Sequence, residues 1–181
     1  SPSVKADYYA LSAVATGIKD AWKLLPFNDP KVVDAYMNYI SWLIDSFDPE
    51  LVNYAVESNL SLFEPSAFLQ YKDFIAQVYP RLKNKYPSIP FFISFMVDET
   101  NDGFGNAMQL LPYTDYIGLS AYPYAGVSSS ADGNTDPALF PAAYFNRYIQ
   151  MSSKPLAFAE TGYIAEDLVI PSFNLNKQGR E

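Results

Sequence analysis

Two glutamates stand where short apolar runs end, a position from which a carboxylate can act as an acid, a base or a nucleophile. Glu160 closes the run 156–159, and Glu57 closes the run 51–56. A retaining glycosidase needs two carboxyl groups about 5 to 5.5 Å apart, one to protonate the leaving oxygen and one to attack the sugar. Either glutamate alone is better explained as a solvated residue at the start of a loop. Together they predict sugar chemistry.

The composition leaves carboxylates to carry any acid or base chemistry. The 181-residue chain has no histidine and no cysteine, which excludes Ser-His-Asp and Cys-His nucleophile systems, zinc sites of the usual Cys/His kind and disulfide frameworks. A net charge of −8 argues against nucleic acid and anionic membrane surfaces as partners. No Gly-x-Gly-x-x-Gly motif follows a predicted strand, so a dinucleotide site is not supported. We therefore expect no metal and no organic cofactor.

Helical and strand patterns alternate along the chain. Helical spacing of apolar residues predicts helices at 30–47, 65–86, 106–111 and 141–151. Apolar, β-rich stretches predict strands at 51–56, 91–97, 116–121 and 156–159. Repeated crossovers without a hairpin signal indicate a parallel sheet. An α/β fold of this kind is either an open doubly wound sheet or a (β/α)8 TIM barrel, and two glutamates that must meet favour the barrel.

The two ends of the sequence have weaker patterns. Residues 7–15 are predicted to form one more strand, and residues 18–25 a long loop or a short helix. Residues 164–181 show no clear periodicity, so we expect a loop there. The chain would then hold five strands, which do not close an eight-stranded barrel.

Aromatic and amide side chains near the predicted strand ends are candidate sugar contacts. Tyr122 directly follows the strand 116–121, where its hydroxyl could donate to a carboxylate and keep it ionised and oriented. Aromatic faces also stack on sugar rings. Trp42 lies inside the first predicted helix and is expected to pack there. The further candidate substrate-binding residues are Tyr124, Tyr163, Trp22 and Asn59.

Two stretches of the sequence resemble a known family. Residues 115–123 (Asp-Tyr-Ile-Gly-Leu-Ser-Ala-Tyr-Pro) and 154–163 (Lys-Pro-Leu-Ala-Phe-Ala-Glu-Thr-Gly-Tyr) resemble the sixth and seventh strands of clan A glycoside hydrolases, especially the arabinogalactan endo-β-1,4-galactanases. The resemblance implies that Glu160 is the nucleophile, that Glu57 is the general acid/base, and that Tyr122 is the hydroxyl partner of the nucleophile. Residues 1–181 would then be part of a catalytic barrel, about strands 3 to 7, without the first two strands and the last.

One residue departs from that family's pattern. Clan A enzymes usually carry asparagine immediately before the acid/base glutamate, where it hydrogen-bonds the sugar hydroxyl next to the reacting carbon. This chain has Val56 at that position, and an apolar side chain cannot make such a bond. An alternative hypothesis is therefore a catalytically impaired, carbohydrate-binding barrel or scaffold protein. A third is an unrelated α/β domain with both glutamates at the surface.

The leading hypothesis from the sequence is a retaining glycoside hydrolase. It would cleave β-glycosidic bonds in a polysaccharide, such as β-1,4-galactan, by double displacement with two glutamates. It would bind a poly- or oligosaccharide, and we expect neither nucleic acid nor a membrane as a partner and no cofactor. The sequence does not predict an oligomeric state. The family resemblance implies a secreted or periplasmic location.

Overall fold

The computed structural model describes residues 22, 24–60, 65–97, 101–122, 143–163, 165–170 and 175–177. The helices are α1 (Pro30–Phe47), α2 (Pro65–Lys85), α3 (Asn101–Leu110) and α4 (Asn146–Ile149), and a 3₁₀ turn, Leu111–Tyr113, follows α3. The strands are β1 (Val52–Ala55), β2 (Phe91–Met96), β3 (Ile117–Ala121), β4 (Leu156–Thr161), β5 (Leu168–Ile170) and β6 (Leu175–Lys177). None of the helices within these ranges is long and apolar enough to cross a membrane.

Strands β1 to β4 form one parallel sheet in the order β1-β2-β3-β4. Helices separate each strand from the next along the chain. This confirms an α/β fold with parallel strands, and the arrangement fits a part of a TIM barrel. Four of the five predicted strands are thereby confirmed, and the strand predicted at 7–15 lies outside the described residues.

Helix α1 begins and ends where the sequence supplies capping groups. The Asp29 carboxylate accepts a hydrogen bond from the backbone N–H of Lys31 at 2.8 Å, and Pro30 occupies the first turn, where its missing N–H costs nothing. At the other end Asp48 adopts a left-handed conformation, φ 46°, and its N–H donates to the carbonyl of Ile44. The chain then turns directly into β1.

The hydrophobic core joins the sheet to the helices. Helix α2 contributes Ile75, Val78 and Leu82, each fully buried. They belong to the same cluster as the interior residues of β2 and β3, which are apolar nearly throughout, as strands covered on both faces are. Burial of several large apolar side chains is the main stabilising contribution here.

Asp115 fixes the start of β3 against its neighbours. Its carboxylate accepts hydrogen bonds from the Phe91 N–H at 2.8 Å, the Tyr79 hydroxyl at 2.8 Å and the Lys83 ammonium at 3.0 Å. Burial alone would raise the pKa of Asp115, but these three donors and the Lys83 charge together lower it below its ordinary value. A single carboxylate thus ties β2, β3 and α2 together at the amino ends of the strands.

Three details differ from the sequence predictions. Helix α3 begins at Asn101, five residues before the predicted start, because glycines within its first turns hide the helical pattern. Helix α4 covers Asn146–Ile149 within residues 143–151, the part of the predicted helix 141–151 that the structure describes. The predicted C-terminal loop is wrong in part, since β5 and β6 pair antiparallel within it. The apolar triplet Leu168–Ile170 and the Pro-Ser-Phe-Asn sequence after it are the local sequence signals of this strand pair.

Candidate functional site

Polar side chains gather on one face of the sheet near the carboxyl ends of the strands. Met96 of β2 pairs in register with Ser120 of β3, and Ser120 pairs with Glu160 of β4. Because in-register residues of paired strands project to the same face, Ser120 and Glu160 lie side by side. Carboxyl ends of parallel strands are the usual position of active sites in α/β folds.

A β-bulge aims Glu160 at this face. Leu119 pairs with Phe158, but the next residue, Ser120, pairs with Glu160, which leaves Ala159 as an extra residue in β4. Side chains alternate along a strand, so without the bulge Ala159 would be the partner of Ser120 and Glu160 would point to the opposite face. Bulges that re-aim a side chain recur next to active sites.

Tyr122 meets Glu160 as the sequence led us to expect. Its hydroxyl donates to Oε2 of Glu160 at 3.2 Å. A Cβ built on Gly162 would lie 3.7 Å from the Tyr122 ring, so the turn after β4 passes close beside the tyrosine. Tyr122 and Glu160 are both partly buried. The contact is present, and the catalytic roles of the two residues stay predictions.

Glu57 reaches the same face from the turn after β1. Its carboxylate oxygen Oε1 accepts a hydrogen bond from the Ser120 hydroxyl at 2.6 Å, and its own N–H donates to Oγ of Ser94 on β2 at 3.1 Å. Ser120 is therefore the in-register neighbour of one glutamate and the hydrogen-bond donor to the other. Among the described residues, none of the ion pairs involves either glutamate. Neutral hydroxyls are the groups that orient both carboxylates.

The backbone of Glu57 is in a sparsely populated conformation. Its φ is 48°, in the left-handed region that a residue with a Cβ adopts at a cost of about 1 to 3 kcal/mol. Such strain persists when the surrounding structure over-determines it, and it clusters at functional sites. The next two residues, Ser58 and Asn59, supply that surrounding structure.

Ser58 anchors the turn to β2 and α2. Its N–H donates to the Ser94 carbonyl at 3.0 Å, and its hydroxyl lies 2.7 Å from the Tyr71 hydroxyl in a buried contact. Burial raises the pKa of Tyr71 to about 12, against a smaller lowering by the Ser58 hydrogen bond. Tyr71 is therefore a neutral hydrogen-bonding partner across the physiological pH range.

Asn59 is a buried structural residue, so its prediction as a sugar contact is wrong. It is fully buried, and its amide is used on both sides. Oδ1 accepts from the Met96 N–H at 2.7 Å, while Nδ2 donates to the carbonyls of Met96 at 2.9 Å and Gly103 at 3.2 Å. An amide with no exposed surface and these partners cannot bind a substrate. Asn59 instead joins the Glu57 turn to the end of β2 and to α3.

The aromatic candidates are dispersed. Tyr163, three residues after Glu160, is 38% exposed and stays a candidate sugar contact, whereas Tyr124 lies outside the described residues. Trp22 is partly buried against the hydrophobic core, and its role as a stacking platform stays a prediction. Trp42 was expected to pack within its helix, yet it is 60% exposed and lies beside the exposed Tyr39.

Ser94 and Ser120 were missed by the sequence analysis. Both are fully buried, and each interrupts an otherwise apolar strand near its carboxyl end. A single serine inside a continuous apolar strand is a usable signal, because a buried hydroxyl must find a hydrogen-bond partner. Here both serines bond to Glu57, Ser120 to its carboxylate and Ser94 to its backbone N–H, and the Ser94 hydroxyl also lies 3.2 Å from the side-chain amide of Asn53.

The side chains gathered here are of types that can transfer protons or act as nucleophiles. The site contains two carboxylates over one sheet face, each receiving a hydrogen bond from a hydroxyl. One carboxyl can act as a general acid or base and the other as a nucleophile. Within the described ranges no group of three or more acidic side chains is placed to hold a metal ion.

Comparison with known proteins finds a similarity of fold to solved structures. The sequence matches no family model and no curated protein. Among solved structures, the fold is similar to that of an Ignisphaera aggregans GH53 catalytic domain, with a TM-score of 0.59 and 21% sequence identity. The match covers 83% of this chain and 42% of that domain, so the chain spans less than half of the domain's length. At this level of identity the likeness concerns the fold, and it agrees with an α/β architecture that forms part of a TIM barrel.

Proposed function

We propose that this chain is part of a retaining glycoside hydrolase that cleaves β-glycosidic bonds in a polysaccharide. Glu160 is the nucleophile and Glu57 the general acid/base. The observation that carries the proposal is the double role of Ser120, which donates to Glu57 and pairs in register with Glu160. One serine between them brings two glutamates, 103 positions apart (160 − 57) in the sequence, to one small region of the sheet.

The two carboxyl groups have distinct tasks in this reaction. In the first step Glu57 gives a proton to the leaving glycosidic oxygen as the sugar C1–O bond breaks, and a carboxylate oxygen of Glu160 forms a new bond to C1. In the second step water attacks C1, its proton passes to Glu57, and Glu160 is released as a carboxylate. The Tyr122 hydrogen bond supports the ionised, oriented form of Glu160 that the first step requires.

The substrate is proposed to be a β-1,4-linked galactan. Two observations support this choice: the resemblance of residues 115–123 and 154–163 to galactanases, and the fold likeness to a domain of the galactanase family, GH53. Tyr163, exposed at the end of β4, is a proposed sugar contact. On the same family resemblance we also propose a secreted or periplasmic location. The chain would supply about strands 3 to 7 of the barrel.

Charge-removing substitutions of the two glutamates test this function. In the full-length protein, Glu160→Gln should abolish reducing-sugar release from galactan, and Glu57→Gln should lower it by a factor of about 10² to 10⁴, the usual contribution of a general acid/base. Glu50→Gln is the matched control, because Glu50 is exposed and lies before β1, at the opposite end of that strand. Unchanged turnover in either active-site variant would overturn the assignment.

A second candidate is a carbohydrate-binding barrel that has lost catalysis. Val56 favours it, since the residue before Glu57 is apolar where a sugar-binding asparagine is usual in the family it resembles. The placement of Asn59 strengthens this point, because a fully buried Asn59 cannot take over that contact. Titration calorimetry of galacto-oligosaccharides beside the reducing-sugar assay separates the two candidates. Binding without hydrolysis would select the second.

A further inference from the structure

The hydrogen bond from Ser120 to Glu57 has the geometry of a strong, oriented contact. The Oγ to Oε1 distance is 2.6 Å, within the range of about 2.5 to 2.7 Å typical of a hydroxyl that donates to a carboxylate. Ser120 is fully buried while Glu57 is partly buried. A hydroxyl screened from water has few alternative partners, so this bond competes little with solvent.

Strand pairing on both sides fixes the position of the Ser120 hydroxyl. The Ser120 carbonyl accepts from the Val97 N–H at 2.9 Å, and its register partners are Met96 on β2 and Glu160 on β4. The serine side chain has one short rotatable bond to its oxygen. The orientation of the Glu57 carboxyl is therefore determined by β3, an element 63 residues away in sequence, as well as by its own turn.

We propose that Ser120 is a positioning residue that selects which oxygen of Glu57 carries the catalytic proton. Ser120 donates its hydroxyl hydrogen to Oε1, so the proton of the neutral acid resides on Oε2. Oε2 then gives this proton to the leaving glycosidic oxygen and later takes one from the attacking water. The inference rests on the proposed function, because it assigns a role within the same reaction.

A serine with a purely structural role in the buried strand would respond differently to substitution. Its removal would destabilise the fold or slow all substrates to the same degree. Loss of a positioning residue for the general acid should instead slow those substrates that need protonation of the leaving group. The dependence of the rate on the leaving group therefore separates the two roles.

The test is Ser120→Ala in the full-length protein, assayed with aryl β-galactosides that differ in leaving group. We expect kcat/KM to fall about 10- to 100-fold for phenyl galactosides, the effect of losing a hydrogen bond to the carboxylate that forms as Glu57 gives up its proton. For dinitrophenyl galactosides, which leave without protonation, we expect a change of less than about threefold. Ser41→Ala, the same change at another buried serine, on α1, should leave both rates at the wild-type level. An equal loss for all substrates, or no loss, would overturn the proposal.

Crystal structures of the wild type and Ser120→Ala give a readout that needs no activity. The Glu57 carboxyl should contact residue 120 in the wild type and turn away from it in the variant. If Glu57 stays in place in the variant, Ser120 does not position it, whatever the kinetics. If the wild type hydrolyses none of the galactosides but Glu57 turns in the variant, the proposed function fails and the positioning role stands. Should Ser120→Ala not fold, Ser120→Cys, whose side chain is slightly larger and keeps a weak donor, should show a smaller loss in the same direction.

Discussion

Replacing Asn59 should lower the stability of the fold, because this residue supports the site structurally and carries no chemistry itself. Its amide joins three parts of the fold: the turn that carries Glu57, the end of β2 at Met96 and the first turn of α3 at Gly103. Asn59→Ala removes all of these contacts and leaves the Met96 N–H without its acceptor, in a place where water is largely excluded.

The cost can be estimated from the individual contacts. A buried donor without an acceptor costs about 1 to 3 kcal/mol, and each of two lost hydrogen bonds about 1 kcal/mol. The Met96 carbonyl is less affected, since it also accepts from the Tyr148 hydroxyl at 3.0 Å. The sum is a loss of about 3 to 5 kcal/mol in the free energy of unfolding.

Urea unfolding and calorimetry of the full-length protein measure this effect. Asn38→Ala is the matched control, because Asn38 is exposed on α1, and surface substitutions usually change stability by less than about 0.5 kcal/mol. A loss below about 1 kcal/mol for Asn59→Ala would refute the reasoning, since it would mean that the buried amide does not satisfy the groups around it.

Two further predictions concern the strands beneath the site. Gly118→Ala should destabilise the fold by about 1 to 3 kcal/mol, since a Cβ there would lie 2.8 Å from the Phe92 ring and 3.0 Å from the Ile93 carbonyl. Gly105→Ala is the control: its Cβ would lie in open space, so this substitution should be neutral or stabilising by up to about 1 kcal/mol. Equal changes in the free energy of unfolding for the two variants would contradict the packing argument. The lowered pKa of Asp115 means that its stabilisation is complete above the unfolded-state value of about 3.9 and is lost as pH falls through the lower folded-state pKa. Urea unfolding at a series of pH values should therefore show the stability gap between wild type and Asp115→Asn narrowing below about pH 4, whereas a gap constant with pH would count against this role.

The regular elements were predictable because their signals are local. Helix α1 has its cap at Asp29, its proline at the first turn and its apolar residues at helical spacing. Strands β2 and β3 have continuous apolar runs. Strands β5 and β6 have three residues each, which is too short for an alternating pattern, so only the apolar triplet and the turn-forming residues after it could indicate them.

The site was only partly predictable because its geometry depends on tertiary contacts. The sequence suggested Glu160 because it closes an apolar run, and the family resemblance implied its contact with Tyr122. It could not show the bulge at Ala159 that turns Glu160 toward Ser120, because a bulge is defined by the partner strand. The polar lining of the sheet face at Ser94 and Ser120 was hidden for the same reason.

Glu57 is the clearest case of a position determined from outside its own segment. Its neighbour Val56 offers no polar group, and its own backbone is in a conformation that a β-carbon disfavours, φ 48°. Three separate contacts hold it: Ser94 at its N–H, Ser120 at its carboxylate, and the buried side chain of Asn59 just beyond the turn. Since strain of this kind is retained only when the surroundings over-determine it, the location of Glu57 follows from β2 and β3 rather than from the residues beside it. A substitution of Val56 should therefore leave the Glu57 carboxyl in contact with Ser120, which a crystal structure of the variant would check.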